Sequence, residues 1–531
     1  MRIWYSIAAI CCWLFSFSAL SAADRSTKDV SIAIDLSGVV NTMRGGIGAS
    51  WHAIEQPIPY SNIPHPVFGN LSHGGSGWGG YPPADDEAAW GQIDRHARWL
   101  GLDWNRVEVE QRIYEPERDR FHWDNAEMRI LYRILDWCEA NRADVFLQQM
   151  WANVRWNTFP EWRDDAAARV HSAPLSTEDF AEGLATFVEH LVKRKGYTCI
   201  RWICVSNEPN GWWKRYPNVA VPMRPALAAV RKALDVRGIR IPLSGPDTVG
   251  GVPLLPPRIG EAVPVLLPER FDFGDLLGAY DFHTYNETFD WLGKTNYMSW
   301  ADKNTADWAV YAHRQGKPLF MSELGTMDNG YGEDSPAPGS YRSALQDVEL
   351  IVRRIAAGAD GFNRWSFINR GDLDGQWQFI DTWDRKKKEL LERYTPHPNT
   401  YFLLGLVSRF TAKHSDVFRC QIDGGRIGRY QRVFATALRS PKGNVTVLAV
   451  NDSPTPFDAT ISLRGLARNC QLHRYTVNES QLDRADLTIA PTSAFPLTAA
   501  APQLEDRLAP MSVTVYSSYM LRHSDDGIMA E

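Results

Sequence analysis

Three features of this 531-residue chain predict an α/β fold, a (β/α)8 TIM barrel with a C-terminal antiparallel β-sandwich domain. Eight apolar, β-prone runs alternate with amphipathic helical runs between residues 45 and 411. All 21 tryptophans lie at or before Trp383, and from about Arg419 the pattern becomes short β-prone runs separated by turn residues. The length exceeds one ordinary core and suits a large barrel with an appendage.

The first 23 residues read as a secretory leader: Arg2, an apolar run from Ile3 to Phe17, then the small-residue site Ser21-Ala22-Ala23 before Asp24. The run is short for a membrane span and gives way at once to polar sequence, so a secreted or periplasmic protein is expected, off the membrane once the leader is cleaved. Cys11 and Cys12 lack the small residues expected before a lipidated cysteine. Residues 24–44 form an N-terminal segment in which Val30 to Leu36 is a candidate extra strand of the sandwich.

Within the barrel, assigned to residues 45–411, strands are expected at Gly46 to Trp51, Trp104 to Val109, Asp144 to Gln149, Ile200 to Ser206, Arg240 to Gly245, Tyr280 to Tyr285, Pro318 to Ser322 and Gly361 to Phe367. Helical periodicity is clearest in Asp86 to Leu100, Asn125 to Ala140, Thr177 to Lys195, Tyr341 to Ala357 and Thr400 to Thr411. The fifth unit offers no helix in the Gly- and Pro-rich stretch Gly250 to Pro268. That stretch and the Gly-rich insertion Glu55 to Asp85 both follow strands, which predicts loops on the face where barrels do chemistry.

The sandwich, residues 412–522 with a tail at 523–531, is carried by Val433 to Leu438, Asn444 to Val450 and Ser512 to Tyr516. Its lack of tryptophan argues for a structural companion rather than a carbohydrate-binding module. Four Asn-x-Ser/Thr matches, at Asn70, Asn286, Asn444 and Asn478, are short enough to arise by chance.

A formal net charge of −6, made more negative when Arg2 leaves with the leader, favours neither nucleic acid nor an acidic membrane surface. The five cysteines after the leader form no CxxC or Cys/His pattern, so neither metal nor organic cofactor is implied. Cys420 and Cys470 are candidates for a disulfide.

Chemistry concentrates on two strand ends. Cys204-Val205-Ser206-Asn207-Glu208-Pro209 closes the fourth run, and Pro318-Leu319-Phe320-Met321-Ser322-Glu323 closes the seventh. Alternation puts Trp202, Cys204, Ser206 and Glu208 on one face, and Leu319, Met321 and Glu323 on one face, aiming both glutamates at one mouth. Paired glutamates suit retaining glycoside hydrolysis, which uses one protonated carboxyl and one ionised one; close carboxylates create that difference by disfavouring a second negative charge.

Here the chain resembles glycoside hydrolase clan A, over roughly residues 45–411. The resemblance implies Glu208 as acid/base, Glu323 as nucleophile, and Asn207 as a partner of the sugar 2-hydroxyl. Arg106, in Trp104-Asn105-Arg106-Val107, is similar to the arginine that supports the nucleophile; Glu108 and Glu110 share its face, so an ordinary ion pair and Glu110 as the catalytic carboxylate are the competing readings. Asp281-Phe282-His283-Thr284-Tyr285 resembles the strand-six segment, with Tyr285 donating to the nucleophile and His283 orienting Glu208 or a sugar hydroxyl. Trp365 matches the aromatic floor of the sugar site.

Trp51, His52, Trp151, Asn153, Arg155 and Trp156 are expected near the mouth, Trp212 and Trp213 near the leaving group, and Arg155 and Arg370 near any uronate carboxylate. Pro398-Asn399-Thr400-Tyr401 and the closing Pro510 to Tyr516 look like the β-xylosidase and α-iduronidase family or the glucocerebrosidase and glucuronoxylanase family; the Gly-rich insertion and the unusual fifth unit depart from both. The expected partner is an oligo- or polysaccharide cleaved at a β-linked bond. A catalytically silent glycan-binding barrel is the alternative, and its mark, loss of one carboxylate, is absent.

Overall fold

The computed structural model describes residues 28–53, 80–216, 219–248, 274–286, 297–326, 339–368, 377–384, 387, 389–482 and 489–521. The leader, most of the insertion at 55–85, the stretch 250–268 and Arg370 lie outside them. Among the described residues no helix is long and apolar enough to cross a membrane.

Eight parallel strands close a barrel in sequence order: Ile47–His52, Trp104–Val109, Asp144–Gln149, Ile200–Cys204, Leu243–Thr248, Leu277–Asn286, Leu319–Thr326 and Gly361–Arg364. Strand eight pairs back onto strand one, Phe362 opposite Ile47, which completes the TIM barrel. In strand one a Cβ on Gly48 would collide with the Trp104 carbonyl of strand two, so only glycine fits.

Polar residues at their first turns start the surrounding helices. Asp86 accepts from the Ala89 amide to cap Glu87–Leu100, and Asn125, Ser176 and Ser340 cap Ala126–Ala140, Thr177–Glu189 and Tyr341–Ala356 in the same way. Helices Arg224–Val236 and Tyr297–Arg314 are additional to those predicted. The first opens on Arg-Pro, and its buried face, Ala226, Leu227, Val230 and Leu234, is half alanine and valine, a weak apolar signal.

Two apolar layers flank the strands. Ile47, Ala49, Trp51, Ile203, Val205, Leu319 and Met321 belong to the large cluster between strands and helices. Trp104, Phe146, Cys204, Ala279 and Phe320, with Trp202 against them, plug the inside of the barrel. Strand seven therefore corrects the alternation expected for it: Leu319 and Met321 face outward and Phe320 inward. Pairing with strand six shifts between Met321 and Glu323, leaving Ser322 as an extra residue. That β-bulge turns Ser322 and Glu323 both toward the barrel axis. Strand five has a similar shift, between Pro246 and Thr248, that leaves Asp247 as the extra residue.

The second sheet has nine strands, in the spatial order Ser493–Leu497, Cys470–Asn478, Ser512–Ser517, Val445–Asn451, Val433–Arg439, Asp416–Gly424, Lys28–Thr42, Phe457–Arg464 and Gln503–Leu508. All neighbours are antiparallel except Lys28–Thr42 with Phe457–Arg464, which run parallel. Val30, Ile32 and Ile34 of the N-terminal strand enter a core with Phe418, Val433, Val447 and Ile461. The sheet packs on helix Tyr341–Ala356, where the Arg353 guanidinium lies 4.2 Å over the Phe434 ring and Tyr341 donates to the Met511 carbonyl at 2.7 Å.

Cys420 and Cys470 are free thiols, which corrects the disulfide suggested for them. Their strands are separated by three others in the sheet.

Candidate active site

The carboxylates of Glu208 and Glu323 meet over the apolar plug, at the C-terminal mouth of the barrel. Glu323 Oε1 accepts from Arg106 Nη1 at 2.7 Å. Its Oε2 accepts from the Tyr285 hydroxyl at 2.9 Å and lies 2.9 Å from His283 Nδ1. Glu208 Oε1 is 2.8 Å from the same Nδ1, and its Oε2 accepts from Trp212 Nε1 at 3.1 Å. One polar atom from each of Glu208, His283 and Glu323 falls within 4.8 Å of the others.

Arg106 is fully buried and organises the floor. Besides Glu323 it bonds Glu108, Asn207 Oδ1 at 2.7 Å and Asp247 Oδ2 at 3.4 Å. Arginine donates only, so Asn207 must turn its oxygen toward Arg106, and its NH2 is left to meet a ligand. Glu108 also holds His52 through Nδ1 at 2.5 Å, and the His52 ring stands edge-on to Trp365 at 4.8 Å. Glu110, the competing carboxylate, is bound elsewhere, by Arg112 and by Asn153 Nδ2 at 3.2 Å.

Asp247 is a residue of this site that the sequence did not reveal. Its Oδ1 accepts from Ser322 Oγ at 2.9 Å and faces His283 Nε2 at 3.1 Å; its Oδ2 also accepts from Gln148 Nε2 at 3.3 Å. The expected strand five stopped at Gly245, two residues short. A proline inside the strand, Pro246, was the available signal of a bulge.

The charges account for the protonation of the site. Burial pushes the Asp247 carboxyl up, but His283 and Arg106 outweigh it and hold the group down at about 2. Glu323 follows the same balance, burial against His283 and Arg106, and ends below the ordinary carboxylate range. Burial would strip His283 of its proton, yet Glu323 and Asp247 hold its affinity well above the usual histidine value. Tyr285 is raised, by burial first and by Glu323 second, so it stays a donor.

Above this floor Met150, Trp151, Val170, Trp365 and Trp377 cluster with Trp212 and Tyr285. Trp151 lies 5.6 Å from Trp212, which is stacked on His171 at 4.2 Å. Three residues around the mouth have positive φ without being glycine: Asn153 at 50°, Glu208 at 43° and Asp247 at 55°. Such backbone is strained. The Glu208 amide donating to the Asp247 carbonyl at 3.0 Å helps hold two of them.

Other expected mouth residues lie elsewhere. Trp51 sits in the outer core with Tyr81, Trp137 and Phe367, its indole donating to Asn105 Oδ1 at 3.0 Å. Neighbours on a strand face opposite ways, so His52 takes the inside. Trp213 is also in that outer core, Trp156 packs against it, and Arg155 is exposed and paired with Asp164.

Among the described residues two trios have metal-ligand spacing, Glu208 with His283 and Glu323, and Cys204 with Asp247 and Asp281. Arg106 bonds a carboxylate in each, a charge that an incoming cation would have to displace.

No family model and no curated protein matches this sequence. Solved structures match the fold. A glycoside hydrolase family 30 subfamily 8 xylanase from Clostridium acetobutylicum aligns with a TM-score of 0.58 at 14% identity, over 92% of this chain and 99% of that one. An alpha-L-arabinofuranosidase from Thermotoga maritima aligns at 0.57 and 12%, over 93% and 100%. A conserved exported protein from Bacteroides fragilis gives 0.61 and 14%, over 92% and 100%. The barrel with its second sheet is thus a fold found among clan A glycoside hydrolases.

Proposed function

We propose that this chain is an exported retaining O-glycosidase that cleaves a β-linked bond in an oligo- or polysaccharide, with Glu323 as nucleophile and Glu208 as acid/base. The observation that carries the reading is the closeness of the two carboxylates, which share one imidazole nitrogen at 2.8 and 2.9 Å. Retaining pairs stand about 5 to 5.5 Å apart, whereas inverting pairs need roughly 6.5 to 9.5 Å to admit a water between them.

The two glutamates differ as the chemistry requires. Glu323 is buried among Arg106, His283 and Tyr285, which favour the carboxylate and aim it. Glu208 is the more open of the two, at 18% exposure against 6% for Glu323, and faces the Trp212 side where a leaving group would sit. Attack by Glu323 on the anomeric carbon breaks the glycosidic bond while Glu208 gives its proton to the departing oxygen. Water then reverses the roles, with Glu208 as base. The Asn207 NH2 is placed to bond a ring hydroxyl, and the aromatic cluster with Trp365 and Trp151 offers apolar faces to sugar C–H groups. The xylanase and arabinofuranosidase identities of the fold neighbours make pentosides the first substrates to try. The second sheet, one face of which packs against a barrel helix, serves as a structural companion.

A panel of aryl glycosides, headed by dinitrophenyl and methylumbelliferyl β-D-xylosides, tests this. Wild type turns over at least one, Glu323→Ala none. Glu208→Ala loses turnover of poor leaving groups by about 100-fold or more but spares dinitrophenyl substrates. Equal loss on both would remove Glu208 as the acid. No turnover at all, with glycan binding unaffected by Glu323→Ala, would make the chain a binding protein.

A further inference from the structure

The imidazole of His283 is surrounded by carboxylates on both sides. Nε2 faces Asp247 Oδ1 at 3.1 Å, and Nδ1 faces Glu208 Oε1 at 2.8 Å and Glu323 Oε2 at 2.9 Å. A carboxylate only accepts, so each ring nitrogen must carry a hydrogen to bond its neighbours. Nδ1 then has one hydrogen and two acceptors at nearly equal distance. Asp247 is pinned in turn by Arg106, Gln148 and Ser322, which fixes the far side of the ring.

We propose that His283 is a positioning residue whose Nδ1–H is exchanged between the two glutamates during the reaction, with Asp247 as the fixed counter-ion on Nε2. The inference rests on the glycosidase reading and adds to it a residue that follows the negative charge. Glycosylation starts from the form with the charge on Glu323 and the proton on Glu208, in which Nδ1–H bonds Glu323. When Glu323 bonds the anomeric carbon and Glu208 gives its proton to the leaving oxygen, Glu323 becomes a neutral ester and Glu208 a carboxylate. The Nδ1–H bond then passes to Glu208 without movement of the ring. Water next gives a proton to Glu208 and its oxygen to the anomeric carbon, Glu323 leaves as carboxylate, and the bond returns.

The geometry predicts that His283 serves both half-reactions. A donor fixed on Glu208 would aid glycosylation alone, where charge develops on Glu208, and one fixed on Glu323 would aid deglycosylation alone, where charge returns to Glu323. With dinitrophenyl β-D-xyloside, the pre-steady-state burst reads glycosylation and the steady rate after it reads deglycosylation. His283→Leu should slow both by at least about tenfold, and His283→Gln, which keeps a donor, should recover part of each. Loss confined to one half-reaction, in a variant with wild-type melting, overturns the exchange.

A second measurement needs no variant. Ring-nitrogen NMR shifts of labelled histidine should show His283 protonated on both nitrogens in the free enzyme and in the fluoro-xylosyl adduct on Glu323. Loss of the Nδ1 hydrogen in either state overturns the proposal while leaving the glycosidase reading intact. Failure to form any Glu323 adduct in an active wild type overturns the double-displacement reading and the exchange with it.

Discussion

Arg106 bonds Glu323, Glu108 and Asn207 at once, a pattern that a planar guanidinium supports and an ammonium does not. Arg106→Lys keeps the charge but not the geometry, and kcat is expected to fall by about 100-fold or more in steady-state assays. Trp51 gives the contrasting outcome: as an outer-core residue its change to Phe should lower stability by about 1–3 kcal/mol in denaturant titration and leave KM unchanged. Glu208, Glu323, Arg106, His283 and Tyr285 were legible because each stands in a short motif on or just after a barrel strand. Asp247 was not, since its place depends on a bulge marked locally by Pro246 alone, and Trp51 was misplaced because its neighbour His52 already occupies the inward position.

At the scale of elements, most strands and the better-capped helices were legible from period and punctuation, while the exceptions carry the function. Strict alternation would send Glu323 outward with Leu319 and Met321; the bulge at Ser322 reverses this. Deleting Ser322 leaves Glu323 next after the outward Met321, hence inward and still opposite His283, so turnover of aryl glycosides should survive with the far-UV spectrum intact. Ser322→Ala, which keeps the bulge but loses one bond to Asp247, should retain activity within about tenfold.

Helix Glu87–Leu100 offers a pH readout. His96, buried against Tyr401 and Tyr394, is held by that burial at about 4 despite the Tyr394 carbonyl, which pulls the other way. Above about 6.5 it is neutral in folded and unfolded chain alike; between there and about 4 only the unfolded chain takes up a proton. Stability should then fall with pH by up to about 3 kcal/mol across that window. His96→Gln should lose this dependence in melts at pH 7 and pH 4.5.

Across the whole molecule, the N-terminal strand Lys28–Thr42 lies inside the second sheet, with Asp416–Gly424 on one side and Phe457–Arg464 on the other. The β-prone run Val30 to Leu36 was legible as a strand; its two partners were not, because pairing across nearly the whole chain leaves no local mark. Removing residues through 42 would bare two strand edges, and the truncated protein is expected to form oligomers on size-exclusion chromatography.

The same strand sets a schedule for synthesis. It is made before the barrel, while the two strands that hydrogen-bond it, Asp416–Gly424 and Phe457–Arg464, are made after the barrel strands, so throughout synthesis of the barrel its edges have no native partner. The barrel can close before then, since all eight of its strands precede residue 365. A chaperone that shields residues 28–42 during that interval would therefore matter more to yield than one acting on the barrel.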